Sequence, residues 1–315
     1  MKSKNVIITL IVFLSILAVA LVGGMVLLMN KDFNFSFNIG ESNLKLIDTF
    51  ETSANEVEEL KFDLASTDVE VKEASDENIK IEYYSNKNKK LKMYQEGTTV
   101  IVEENEKDNV CIGICNNKRK VVVYVPSTYK GTYNIKTASG DIKYEIDIVD
   151  NKLTVNTASG DVFLKNAGNI NIKTVSGDVK AGNVNKNKIS TTSGDINVGN
   201  ASKESEYKTT SGDIKIGETT SLSIITTSGD VNVDKVLEDT SIETVSGDVR
   251  ISVLNISKNS NIKTVSGDVR VESNESNCYV ETSTTSGDER INKSDRKSDV
   301  VLNVKTVSGD ITVNK

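Results

Sequence analysis

Ten times in the C-terminal part of the chain an aspartate follows a serine and a glycine, the glycines being Gly140, Gly160, Gly177, Gly194, Gly212, Gly229, Gly247, Gly267, Gly287 and Gly309. Carboxylates repeated at one position can hold Ca²⁺ between units, or can accept hydrogen bonds from nearby amides and brace a turn. Ca²⁺-binding repeats place the aspartate in a glycine-rich nonapeptide. Here the period is about twice that, with one glycine per unit, and the brace is the favoured reading. A second column lies three residues after the glycine, where Lys180, Lys215, Arg250 and Arg270 recur among Lys143, Arg290 and neutral residues. Such a column is either a solvated face with edge-protecting cations or a stripe that contacts anionic wall polymer or lipid head groups.

Other chemistry is sparsely provided. The 315 residues include no His and no Trp, and a single Pro, Pro126. Lacking His, the chain lacks the commonest general base and the commonest metal ligand. Cys111, Cys115 and Cys278 are odd in number and make no disulfide framework. In an extended strand Cys111 and Cys115 would sit about 13 Å apart, beyond disulfide reach, so a bridge requires a turn at Gly113. Four zinc ligands are not offered. No catalytic residue, metal or cofactor is expected, and the chain reads as a non-enzyme. The alternative is a polysaccharide-active β-helix enzyme at the cell surface. That would need a groove and catalytic groups on long loops, and the loops here are short.

The elements that position these columns are strands. Successive glycines are 17 to 22 residues apart. Five before each glycine stand Ile135, Val155, Ile172, Ile189, Tyr207, Ile224, Ile242, Ile262, Thr282 and Val304. Two after it stand Ile142, Val162, Val179, Ile196, Ile214, Val231, Val249, Val269, Glu289 and Ile311. Alternation with polar residues is the period-2 signature of strands with one buried face. Each unit is therefore strand, glycine corner, strand, and it buries its apolar face only by stacking on its neighbours. The expected fold is all-β: a repeat-built parallel β-solenoid of ten Ser-Gly-Asp rungs, a rod about 45 Å long at one rung per 4.8 Å. The glycines are expected to turn the corner with positive φ, and the invariant Thr three residues earlier to form a hydroxyl ladder. The ninth unit, with Thr282 and Glu289 in apolar columns, should be locally loosened or turned outward. The last unit should leave an unguarded sheet edge.

Upstream, residues 57–64, 67–72, 78–85, 98–102 and 120–125 read as strands. Residues 65–71 are a degenerate copy of the unit, with Thr67 in place of the glycine. Residues 6–29 carry no charge. As a helix they would be about 36 Å long, enough to cross a hydrocarbon core of about 30 Å. A cleaved signal would have a shorter apolar run. Lys2 and Lys4 precede this segment and should stay cytoplasmic. Beyond it stand 36 basic and 45 acidic residues, a net charge of −9, which makes nucleic acid an unsuitable partner. The expected organisation is a cytoplasmic tail (1–5), a single transmembrane helix (6–29), a membrane-proximal connector (30–50), an N-terminal β cap (51–131) and the repeat solenoid (132–315) outside the cytoplasm. A five-residue tail holds no signalling module, so any inward message would need another membrane protein as partner.

The iterated Thr-x-Ser-Gly-Asp-[Ile/Val] unit, the segment 57–72 and the strand ending in Val125-Pro126 resemble the bacterial "putative adhesin" domain family, also called the toast-rack domain. The likeness covers about residues 51–315. It implies a β-solenoid exposed at the cell envelope, similar in some relatives to membrane-anchored members of cell-envelope stress operons, and it carries over no catalytic or ligand residues.

Overall fold

The computed structural model describes residues 44–86, 91–104, 118–272, 278–292 and 294–314. Residues 6–29, the alternating stretch 33–39 and the Cys111/Cys115 pair lie outside the described residues. Among the described residues no helix is long and apolar enough to cross a membrane.

Among the described residues regular structure is β, apart from one 3₁₀ turn at Ala54–Glu56. The chain winds into a parallel β-solenoid of about nine turns. The apolar columns stack in register. After the corner, Ile142, Val162, Val179, Ile196, Ile214, Val231, Val249, Val269 and Ile311 pair in that order. Before it, Ile135, Val155, Ile172, Ile189, Tyr207, Ile224, Ile242, Ile262 and Val304 do the same. All of them are buried. At about 1.5–3 kcal/mol for each fully buried Val or Ile, these two columns are the main favourable contribution of the repeat.

The N-terminal end is a rung followed by a cap. Strands Glu59–Asp63 and Asp68–Glu73 form the degenerate copy read from the sequence, and they stack on Thr132–Lys136 and Ile142–Asn156. Strands Thr99–Glu103 and Arg119–Val125 lie outside them, still parallel. Beyond these come antiparallel strands: Lys92–Glu96 on Thr99–Glu103, and Asn78–Ser85 on Arg119–Val125. Changing direction ends the repeating register and gives the end of the stack a surface the next coil cannot copy. The connector assignment for 30–50 needs correction at its C-terminal end. Lys45–Ser53 is a strand, antiparallel to Asn78–Ser85, and Phe50 packs against the core.

The C-terminal end inverts chain order. The last unit, Val301–Lys305 and Ile311–Asn314, stacks directly on Ser260–Lys263 and Val269–Glu272. The ninth unit, Tyr279–Ser283 and Glu289–Ile291, then covers the last one from outside. The expectation of an unguarded C-terminal edge is therefore overturned. The reason is chemical. Val304 and Ile311 match the two apolar columns and gain from neighbours on two sides, whereas Thr282 and Glu289 do not match them. Glu289 lies over Ile311 at the open end, its carboxylate accepting from the Thr282 hydroxyl (2.6 Å) and the Thr284 amide (2.9 Å). A carboxylate on the outermost rung keeps the apolar columns from presenting a bare edge.

Candidate functional site: the charged corner

The ten glycines fall in one column, and the reason for them is not the one expected. Only Gly229 and Gly309 among them have positive φ, 152° and 157°. What the column requires is room. A Cβ on Gly160, Gly177, Gly194 or Gly212 would stand 2.0 Å from the preceding corner's carbonyl oxygen, and at the other corners 2.1–2.2 Å. That obstacle is backbone held by the stack, so it cannot swing aside. Thr67 escapes because its corner is the first. The Glu104 carboxylate lies beside it and accepts from the Ala65 amide (2.8 Å), the Ser66 amide (3.3 Å) and the Thr67 hydroxyl (3.2 Å), while pairing with Arg119.

The aspartates form a ladder. Oδ1 of each accepts the backbone N–H of the aspartate in the next unit, at 2.8–3.0 Å. The order is Asp68, Asp141, Asp161, Asp178, Asp195, Asp213, Asp230, Asp248, Asp268, Asp310 and Asp288. The brace is thus made between units rather than within one. Burial pushes the Asp68 carboxyl above the usual range at the inner end of the ladder, against the amide of Asp141 that favours its charge. Among the described residues no group of three or more acidic or Cys side chains is placed to hold a metal ion. Burial also pushes the Cys278 thiol up, away from nucleophilic thiolate.

The expected Thr–Thr hydroxyl ladder does not form. In the first five units the threonine hydroxyl accepts its own glycine's N–H at 2.9–3.1 Å. At Gly229, Gly247, Gly267 and Gly309 the glycine N–H turns instead to a serine carbonyl of the adjacent unit, at 3.1–3.2 Å. The hydroxyls of Thr226, Thr244 and Thr264 are then buried without a partner. Nothing in the residue types separates the two kinds of corner.

Lys180, Lys215, Arg250 and Arg270 lie two residues beyond the aspartates on the same outward face, and all are exposed. Their column reads Lys143, Phe163, Lys180, Asn197, Lys215, Asn232, Arg250, Arg270. Lys180 and Lys215 are consequently separated by one neutral rung, about 10 Å, while Arg250 and Arg270 are on adjacent rungs about 5 Å apart. None of the four forms an ion pair among the described residues, in contrast to Lys143 with Glu145 or Lys186 with Glu204. Near the C-terminal end Arg250, Arg270 and Arg290 border a cavity of about 310 Å³ that Asp248, Asp268 and Asp310 also line.

Comparison with protein families matches residues 57–233 and 217–314 to the family described as Toastrack DUF4097. The chain belongs to that family. No curated protein matches it. Solved structures similar to this Toastrack chain include a "putative adhesin" from Parabacteroides distasonis (14% identity, TM-score 0.45, covering 86% of this chain and 98% of that one). Another is a "putative adhesin" from Bacteroides fragilis (14%, TM-score 0.33, 85% and 97%). A third is a "putative cell adhesion protein" from Clostridium sporogenes (11%, TM-score 0.23, 86% and 99%). The assignment rests on the family match, which spans the corners, both apolar columns and most of the N-terminal cap.

A second glycine corner escaped the sequence reading. Gly182, Gly199 and Gly217 stand five residues after Gly177, Gly194 and Gly212, and a Cβ on each would meet a carbonyl of the previous coil at 2.0–2.8 Å. The following side chains repeat the brace. Asn166 Oδ1 accepts the Asn183 amide and Asn200 Oδ1 accepts the Glu218 amide, both at 2.9 Å. The signal was present as Gly-Asn and Gly-Glu at a fixed offset, in three units only.

Proposed function

We propose that this Toastrack protein is a non-enzymatic, adhesin-like rod, anchored in the membrane by residues 6–29, that contacts anionic envelope polymer outside the cytoplasm through Lys180, Lys215, Arg250 and Arg270. The observation that carries the reading is four exposed, in-register cations that no carboxylate among the described residues engages. Single exposed charge contacts are worth at most about 1 kcal/mol each. A polymer that repeats its anions engages several rungs at once and gains by multivalency. The parallel aspartate ladder opposes this attraction, so the long Lys and Arg side chains must meet the polymer beyond the carboxylates.

The contact should weaken as the Debye length falls from about 10 Å at 0.1 M salt to about 3 Å at 1 M. Full-length protein is expected to adhere to polyanionic wall material at low salt and to release at high salt. Reversing the four cations to Glu should abolish adhesion and leave the circular dichroism unchanged. Adhesion that survives both treatments would reduce the stripe to a solvated face. Release of soluble fragments from wall polysaccharide would instead favour the enzyme reading.

Anchoring has its own test. Protease added to intact, wall-stripped cells is expected to digest the chain beyond residue 30. A fully protected C-terminus would overturn the orientation.

A further inference from the structure

On another side of the solenoid, away from the charged corner, the coils between Gly160 and Gly247 are 17 or 18 residues long, while the intervals on either side are 20. The short coils leave a groove of about 560 Å³, within the range of small-ligand sites. Val149, 48% exposed, stands at one end in a longer coil, and Leu237 stands at the other. The floor is aliphatic and small where Ala167, Val184 and Ala201 pair in register. Counting coils from Val149 to Leu237, the groove runs about 24 Å along the axis.

Its walls are neutral and polar: Asn183, Asn185, Asn200, Ser202 and Thr220. The one charged lining residue, Glu218, is already paired with Lys235 at 3.2 Å. On a chain with 26% charged residues this is a local departure that needs a reason. Three of the side chains are fixed from coil to coil. Thr220 donates to the Ser202 carbonyl (3.0 Å), Ser202 to Asn185 Oδ1 (3.1 Å), and Asn185 to the Val149 carbonyl (3.3 Å). The side-chain amide of Asn183 and the Nδ2 of Asn200 make no hydrogen bond among the described residues, so side-chain donors remain open to a ligand. An amide presents a donor beside an acceptor, matching the adjacent hydroxyls of a sugar, and a flat aliphatic floor matches its C–H face.

We propose that this groove binds an uncharged carbohydrate chain laid along the axis of the solenoid. The site is separate from the cation stripe. It has no aromatic platform, so affinity comes from several sugar units acting together over preordered side chains.

The test titrates full-length protein, in a detergent without a sugar head group, with neutral tetrasaccharides of the cello-, malto-, xylo- and N-acetylchito- series. At least one is expected to bind, with affinity changing less than about twofold between 0.05 and 1 M NaCl because no net charge is neutralised. Ser202→Trp should weaken it at least tenfold by filling the groove. Should that variant fold poorly, the double variant Asn183→Ala/Asn200→Ala removes the open amides without adding bulk and should weaken binding several-fold. Reversal of Lys180, Lys215, Arg250 and Arg270 should leave it unchanged, which separates failure of this site from failure of the stripe. No binding by any of the four series overturns the proposal. So does binding that both groove variants leave intact, or binding lost on charge reversal.

Discussion

Gly212→Val is expected to destabilise the solenoid by more than about 4 kcal/mol, the range reserved for substitutions with a severe steric or packing cause. The new Cβ would stand 2.0 Å from the Gly194 carbonyl oxygen and 2.7 Å from its carbon. Both atoms belong to a coil stacked on both sides, so relief requires two coils to separate and gives up the apolar columns they share. Lys215→Val, on the outward face three residues later, should change stability by no more than about 0.5 kcal/mol. Urea unfolding of the full-length protein checks both. Equal midpoints would show that the corner tolerates a side chain. Position within the stack matters as well. Gly287→Val meets the Gly309 carbonyl just as closely, at 2.1 Å, but sits on the outermost unit. In a stack of nearest-neighbour contacts that unit can detach alone, and the loss should be limited to its own contacts.

Restoring the repeat pattern in the terminal unit, Thr282→Val with Glu289→Val, is expected to add end-to-end association that the parent protein does not show. The change removes the carboxylate that lies over Ile311 and the hydrogen bonds it accepts from Thr282 and Thr284. It leaves two apolar columns open on an edge whose strands have no outer partner among the described residues, and such an edge templates further pairing. Sedimentation of the variant at increasing concentration reads the effect. A variant that sediments as the parent protein does would show that Glu289 does not guard the end. If the unit simply detached, the next edge would present Val304, Ile311 and Val313, and association should increase further.

The unit itself was legible in the sequence. Residues five before and two after each glycine alternate with polar ones, and the apolar columns, the strand on each side of the corner and the outward position of Lys180, Lys215, Arg250 and Arg270 all follow from that alternation. Pleat and side-chain direction are local properties of a strand. The segments read as strands at 57–64, 67–72, 78–85, 98–102 and 120–125 correspond to strands in the fold for the same reason. Strand Lys45–Ser53 was missed because its polar face resembles a connector, and only its partner Asn78–Ser85 makes it a strand.

What the tertiary structure decided is everything that depends on which coil lies next to which. The glycines are required by a neighbour's carbonyl rather than by their own φ, and such a neighbour is visible only after stacking. The aspartates brace the following unit, and midway along the rod the glycine amides leave the threonine hydroxyls for a serine carbonyl of the adjacent unit. The order of the last two units could not be read from the chain. Similar units offer nearly interchangeable edges, so chain order does not specify spatial order. The arrangement chosen buries Val304, Ile311 and Val313 on both sides and leaves Glu289 at the end, where its carboxylate keeps hydrogen-bond partners and solvent.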